Sequence, residues 1–331
     1  MKSTTVITED FLERIGQPES RYHADYLAYR RGEVTSAKLI NRLPHIAMIG
    51  DSVCTGIHVS TPWATFWRAR SRRAGDWFQS VSKRLEKLTP LVASHYGGIG
   101  AMIDDDSDRL WLSRRILGTR NFSAQIDQLI RARRFPDLVL ISIGHNNVDW
   151  AWRSPRDELE NAEGRLQRQR QEVRKNFARR LRNLIQHARK EPRRVAVVVF
   201  GLVNFGSYFK GREEAERRRA ADRTLYPHLE TTYKYLVSFR PDYRGNVIRL
   251  AEMVNDELRM MVDEFNRELE ADGSVQLRYS GALATADLGR AELLHHVDGW
   301  HASAEGHNVL AEAAFRDLAP SLEFIGIRPS S

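Results

Sequence analysis

Five short apolar runs constrain the fold of this chain more than any other feature of its sequence. Segments with the apolar spacing of α-helices separate the runs, which cover residues 45–49, 90–94, 136–144, 194–201 and 274–280. Strands that are buried on both faces read as continuous apolar runs, and parallel neighbours need a crossover, usually a helix, between them. The alternation therefore predicts an α/β protein: a three-layer α/β/α sandwich around a mainly parallel sheet of roughly five strands.

The helices between the runs have recognisable ends. Ser154 and Pro155 suit the N-cap and first position of a helix that runs to about Lys190, before Pro192. Further helices fit residues 246–271 and 303–318. We predict one domain over 45–331, a helical extension over 1–44, and a charged helical insertion or lid around 151–245.

The net charge of +8 raises the possibility of a nucleic-acid-binding protein. Residues 165–194 hold twelve Lys or Arg against two Glu, so the rest of the chain is slightly acidic. Few aromatic residues accompany this basic helix, and a solvated helix face or an anionic partner explains it better than nucleic acid. The basic helix remains an alternative binding surface.

Other global features are those of a globular protein without a membrane span. No apolar run reaches the roughly 18 residues that a transmembrane helix needs. The first residues lack the apolar centre of a signal peptide, and the single Cys54 cannot form an internal disulfide. We therefore expect a cytoplasmic protein, with an unknown oligomeric state.

Polar and glycine-rich segments follow three of the predicted strands, and a fourth precedes the last helix. Functional side chains of doubly wound sheets gather at the carboxyl ends of the strands. Each segment also has a plain structural explanation: an N-capping serine, a glycine turn, an Asx-turn and a helix-capping aspartate. The segments are GDSV (50–53), HYGGIGAM (95–102), GHNN (144–147) and HHVDGWHASAEGHNVLAE (295–312).

Together the four segments supply the parts of a serine hydrolase. Ser52 is a candidate nucleophile at a strand-to-helix turn, and the Asn146 amide can donate to an oxyanion. Asp298 and His301 are three residues apart, so the carboxylate can orient an imidazole that acts as general base.

The four segments resemble the sequence blocks of the SGNH hydrolase superfamily, also called GDSL esterases and lipases. The resemblance covers roughly residues 45–150 and 290–316 and implies that family's flavodoxin-like fold. It also implies an ester hydrolase that needs no cofactor and forms an acyl-enzyme on Ser52, with Asp298 and His301 completing a catalytic triad. The implied oxyanion-hole donors are Ser52, Gly100 and Asn146.

The sequence departs from the family pattern at three positions. Val53 replaces the usual leucine, His95 stands where an asparagine often precedes the glycines, and Asn147 stands where aspartate is usual. The last two departures affect the loops that shape the oxyanion hole.

Other chemistries remain open alongside hydrolysis. The same serine machinery can transfer the acyl group to an alcohol or amine instead of water. Metal catalysis is disfavoured because the histidines of the fourth segment lack an i, i+4 ligand pair and Asp298 already has a role. Cys54 has no matching motif, so we interpret it as a packed or bystander thiol.

The substrate is the least defined part of the sequence prediction. Aromatic residues close to the four segments can line an acyl or sugar pocket, although loop packing explains them equally well. His145 can face the substrate or only fill space. The candidate substrate-binding residues are Trp63, Phe66, Trp67, His145, Trp150 and Trp300.

Overall fold

The structure is a computed structural model of the chain. It describes residues 9–18, 20, 22–53, 77–98, 100–103, 121–150, 162–229, 241–269, 273–296, 299 and 301–327. All structural statements below concern these residues.

A five-stranded sheet forms the centre of the protein, and every neighbouring pair of strands is parallel. The strand order is β2-β1-β3-β4-β5. Each of the five apolar runs forms a strand, which confirms the predicted sheet. The strands are β1 (His45–Gly50), β2 (Val92–His95), β3 (Leu138–Ser142), β4 (Val195–Phe200) and β5 (Val275–Ser280).

Helices cover both faces of the sheet and give the predicted α/β/α sandwich. The first group consists of α5 (Phe122–Ile130), α7 (Ala162–Ala188) and α9 (Arg244–Leu269), which pack together. The second group consists of α4 (Trp77–Leu88), α11 (Ala304–Asp317) and α12 (Ala319–Phe324). Every residue of β3 and β4 is buried between these layers, which explains why all of these residues except Ser142 are apolar.

Three short helices precede β1 and have their own apolar cluster. They are α1 (Glu9–Gly16), α2 (His23–Arg30) and α3 (Ser36–Arg42). Ile15, Leu39 and Leu43 are fully buried there and pack with Val92 of β2. The region predicted as a helical extension is therefore packed against the edge strand of the sheet.

Part of the range predicted as an insertion, 151–245, packs in the core of the described structure. Helix α7 buries one face that includes Val173, Phe177 and Leu181, and β4 pairs with strands on both sides. Both elements thus belong to the core. Helix α8 (Phe205–Ala221), with the turns that follow it to Leu229, is an additional segment between β4 and α9, and its role as an insertion or lid stays a prediction.

Short helical elements complete the described chain. They are α6 (His145–Trp150), α10 (Ala282–Thr285) and two 3-10 turns, Pro241–Tyr243 and Ala291–Leu293. Within the described ranges, no helix is both long and apolar enough to cross a membrane.

Candidate active site

The Ser52 turn lies where the chain order of the sheet reverses. From β1, the chain adds β2 on one side and β3 on the other, so the carboxyl ends of these strands surround the residues after β1. Ligand sites of open α/β sheets lie at this switch point. Ser52 follows two residues after β1 and is 5% exposed.

Asp51 fixes the turn that carries Ser52. Its buried carboxylate accepts the backbone N–H of Val53 at 3.1 Å, of Gly144 at 3.2 Å and of His145 at 3.1 Å. Hydrogen bonds to an ionised acceptor are about twice as strong as neutral ones. The carboxylate therefore ties the turn after β1 to the turn after β3.

His145 is held on both of its ring nitrogens. Nδ1 lies 2.9 Å from Oδ2 of Asp51, and Nε2 accepts the backbone N–H of Val203 at 3.2 Å. An imidazole nitrogen that accepts a hydrogen bond carries no proton, so Nδ1 is the nitrogen that donates to Asp51. The side chain is 1% exposed. Both ring nitrogens are thus engaged in hydrogen bonds within the protein, which favours the second interpretation of His145, and substrate contact stays a prediction.

Gln125 of α5 bonds both backbone groups of Gly50, the last residue of β1. The backbone N–H of Gly50 donates to its Oε1 at 2.9 Å, and its Nε2 donates to the Gly50 carbonyl at 2.9 Å. The same carbonyl accepts the N–H of Gly98 at 3.0 Å. Gln125 is fully buried, so the two bonds fix the strand end without water.

The glycine segment after β2 meets Asn146 through a direct hydrogen bond. Nδ2 of Asn146 donates to the carbonyl of Ala101 at 2.9 Å, which leaves the second amide hydrogen available for another acceptor. Gly100 has φ +69°, and a Cβ built on it would meet nothing within 4 Å. Its backbone is therefore in a conformation that favours glycine and borders open space.

Asn147 performs an anchoring role at the position where the family usually has aspartate. Its buried Oδ1 accepts the backbone N–H of Ile103 at 2.9 Å. An amide oxygen serves this donor as a carboxylate would. The departure at Asn147 thus leaves the loop after β2 attached to the turn after β3.

The described residues of the fourth segment that precede α11 are joined by backbone hydrogen bonds. The N–H of His295 donates to the carbonyl of His301 at 2.7 Å, and the N–H of Gly299 donates to the carbonyl of His295 at 2.8 Å. Ser303 caps α11 by accepting the N–H of Gly306 at 3.2 Å. His301, partly buried, is thereby fixed at its backbone just before a well-capped helix.

A second histidine, His307, lies buried beneath this loop on α11. Burial, with smaller contributions from the positive charges of His301 and His295, lowers its pKa to about 3. His307 is therefore neutral at physiological pH and adds no charge to the loop.

Several predicted site residues lie outside the described part of the chain. They are Cys54, Trp63, Phe66, Trp67, Asp298 and Trp300, and Trp150 lies in α6 without a described side chain. Within the described ranges, no group of three or more His, Cys, Asp or Glu side chains is arranged to hold a metal ion.

The basic helix α7 uses several of its arginines in ion pairs. Arg170 and Arg174 both contact the buried carboxylate of Glu257 on α9, and Arg174 also bonds Glu264. A guanidinium nitrogen of Arg182 lies 3.5 Å from Oε1 of Glu268. These pairs join the two helices, so part of the basic charge serves packing.

Sequence reasoning missed the side chains that hold the loops. Asp51 adjoins the serine, but Gln125 belongs to an ordinary amphipathic helix pattern. Tyr208 and Arg212 of α8 both donate to the Gly299 carbonyl. From sequence alone, their segment is recognisable only as a charged region. A buried role of this kind has no local sequence signal.

Comparison with known proteins identifies one family. The model of the GDSL-like lipase/acylhydrolase family matches residues 46–314. No curated protein matches this sequence significantly.

Solved structures give more distant matches. Phospholipase A1 from Streptomyces albidoflavus NA297 is 14% identical, with a TM-score of 0.48 over 86% of this chain and 100% of that chain. An extracellular lipase from Streptomyces rimosus is 13% identical, with a TM-score of 0.46 over 85% and 99%. An aryl esterase from M. smegmatis is 14% identical, with a TM-score of 0.44 over 84% and 100%.

Proposed function

Because this chain belongs to the GDSL-like lipase/acylhydrolase family and is an ester-bond hydrolase, we propose that it cleaves a carboxylic ester through an acyl-enzyme on Ser52. The hydroxyl of Ser52 attacks the ester carbonyl while His301 takes its proton. Asp298 orients His301 and stabilises the imidazolium that forms. His301 then protonates the leaving alcohol, and water cleaves the acyl-enzyme.

The observation that supports this proposal most strongly is the direct bonding among three loops at one edge of the sheet. Asp51 joins the Ser52 turn to His145, and Asn146 joins the turn after β3 to Ala101. The nucleophile and the oxyanion donors thus share one connected framework. A framework of this kind keeps donors in place before charge develops, which is the main source of electrostatic catalysis.

The proposed oxyanion hole consists of the backbone N–H groups of Ser52 and Gly100 and the amide of Asn146. Losing one such donor raises the barrier by about 3–4 kcal/mol in comparable enzymes. The Asn146 amide is well suited because its bond to Ala101 fixes the orientation of the side chain.

We propose that the aromatic residues near the catalytic segments line the acyl or alcohol pocket. Aromatic side chains supply a large apolar surface that binds acyl chains or sugar faces. The residues are Trp63, Phe66, Trp67, Trp150 and Trp300.

The test measures hydrolysis of p-nitrophenyl esters of increasing acyl length by wild type, Ser52→Ala and Ser142→Ala. Ser142 is a matched control, since it is a buried serine at the end of neighbouring β3 and has no proposed chemical role. A fluorophosphonate probe, followed by intact mass, identifies the nucleophile without knowledge of the natural substrate.

We expect Ser52→Ala to lose both turnover and probe labelling while Ser142→Ala retains both. Turnover or labelling that survives in Ser52→Ala refutes the proposed nucleophile. Adding competing alcohols to the assay distinguishes hydrolysis from acyl transfer by the identity of the product.

A further inference from the structure

A fully buried arginine on α8 reaches the loop that carries His301. The Arg212 side chain is 0% exposed. Its guanidinium donates to the carbonyl of Gly299 at 3.0 Å, to the carbonyl of Leu229 at 3.0 Å and to Glu216 at 3.3 Å. Burying a charged group is costly unless it is well paired, so Arg212 depends on these three acceptors to stay buried.

A second donor from the same helix bonds the same carbonyl. The buried hydroxyl of Tyr208 donates to the Gly299 oxygen at 3.0 Å. A carbonyl oxygen has two lone pairs, and here Tyr208 and Arg212 take one each. Gly299 has φ +57°, a conformation that glycine tolerates best. The two hydrogen bonds to its carbonyl hold the peptide in this orientation.

The start of α8 also contacts the nucleophile side of the site. The backbone N–H of Val203, just before α8, donates to Nε2 of His145. The ring of Phe205 lies 6.3 Å from the His145 ring and 6.1 Å from the Tyr208 ring, measured between centroids. One short segment therefore touches both the loop held by Asp51 and the loop that carries His301.

We propose that Tyr208 and Arg212 are positioning residues that hold the loop carrying His301 in register with Ser52. This inference rests on the proposed serine mechanism. Gly299 is two residues before His301, and its N–H and carbonyl are both bonded within the protein. A displacement of about 1 Å between reacting groups can cost 10²-fold in rate, so the hold on this peptide affects kcat.

The sharpest test compares Tyr208→Phe with Tyr226→Phe. Tyr226 is a matched control because its buried hydroxyl also donates to a backbone carbonyl, that of Ala291, at 3.0 Å. Each variant loses one buried hydroxyl and one hydrogen bond. A purely structural role predicts similar losses of stability and similar activities for the two variants.

We expect Tyr208→Phe to lower kcat and the rate of fluorophosphonate labelling of Ser52 by roughly tenfold, with KM unchanged. Tyr226→Phe keeps both rates within twofold of wild type. Thermal melting of both variants controls for stability. Equal labelling rates in the two folded variants overturn the proposal.

Arg212 is tested by Arg212→Lys and Arg212→Met. Lysine can donate to the Gly299 carbonyl but cannot span all three acceptors, so we expect an intermediate labelling rate. Methionine has no hydrogen-bond donor in its side chain. We therefore expect the labelling rate of the folded protein to fall by about 10²-fold. A labelling rate that is equal in lysine and methionine variants contradicts positioning by hydrogen bonding.

These outcomes separate the two proposals. If Ser52→Ala is still labelled, the serine mechanism fails. If labelling depends on Ser52 but Tyr208→Phe matches Tyr226→Phe, the mechanism stands and the positioning role is refuted.

Discussion

Replacing Gln125 by methionine tests whether the clamp on Gly50 determines the geometry of the nucleophile turn. Methionine is similar in length and unbranched, so it can fill the buried site without its polar atoms. The change removes two 2.9 Å hydrogen bonds, one to the N–H and one to the carbonyl of Gly50. The Gly50 carbonyl keeps its bond from Gly98, whereas the Gly50 N–H loses the partner described for it.

The magnitude follows from these contacts. Two lost hydrogen bonds cost about 0.5–1.5 kcal/mol each, and an unsatisfied buried N–H costs about 1–3 kcal/mol. The two costs overlap, so we expect the free energy of unfolding to fall by about 2–4 kcal/mol in urea denaturation. Gly50 is two residues before Ser52, so fluorophosphonate labelling of the folded fraction should slow by roughly tenfold.

Gln125→Glu provides a control with nearly the same shape. Its ionised carboxylate would face the Gly50 carbonyl in a site closed to water, so burial raises the pKa of this glutamate above its unfolded value of about 4.3. The free energy of unfolding of the Gln125→Glu variant is then highest below about pH 4.3 and decreases as the pH rises through the raised pKa. The stability difference from wild type should therefore grow from pH 4 to pH 7.

Two results would refute this reasoning. One is a Gln125→Met variant whose unfolding free energy lies within about 0.5 kcal/mol of wild type, which is the range of ordinary surface changes. The other is a Gln125→Glu variant whose difference from wild type does not depend on pH.

Two further predictions use buried groups of the described chain. Asp51→Asn should lower the unfolding free energy by about 3 kcal/mol in urea denaturation, because an amide nitrogen would face backbone N–H donors; stability equal to wild type contradicts this. His45 is half-buried and His307 is buried, and desolvation is the main cause that lowers their pKa values to about 4 and about 3. Their contribution to stability is complete above pH 6.5 and falls as the pH drops toward 4, by about 1.4 kcal/mol per pH unit and group. Melting curves should show a shallower acid slope in His45→Gln, and an unchanged slope excludes His45 as a source.

The sheet could be predicted from sequence because its strands are buried on both faces. Burial of every residue in β3 and β4 requires unbroken apolar runs, and such runs are rare elsewhere in the chain. The helix ends at Ser303 and near Ala188 were also predictable, since capping and proline rules are local. The boundaries of an insertion are harder to predict, because charge alone does not separate an added helix from a core crossover helix such as α7.

The candidate site was predictable only where its residues lie in short local turns. Position after a strand places Ser52 and Asn146 at the same edge of the sheet, whatever the rest of the chain does. Orientation is a different matter. His145 follows the same strand as Asn146, yet its ring turns inward to Asp51, and only the three-dimensional partners decide this.

The side chains that hold the site come from two different parts of the fold. The turn that carries Ser52 is held by Asp51, which directly follows β1, and by Gln125 of the crossover helix α5. The loop of His301 is held by Tyr208 and Arg212, which belong to the additional helix α8. Losing the bonds of Tyr208 and Arg212 to Gly299 would therefore move the proposed base relative to Ser52, whereas the hydrogen bonds of Asp51, Gln125 and Asn146 would remain. Tyr208→Phe should accordingly lower the rate without displacing the proposed oxyanion donors, because different side chains hold the two loops.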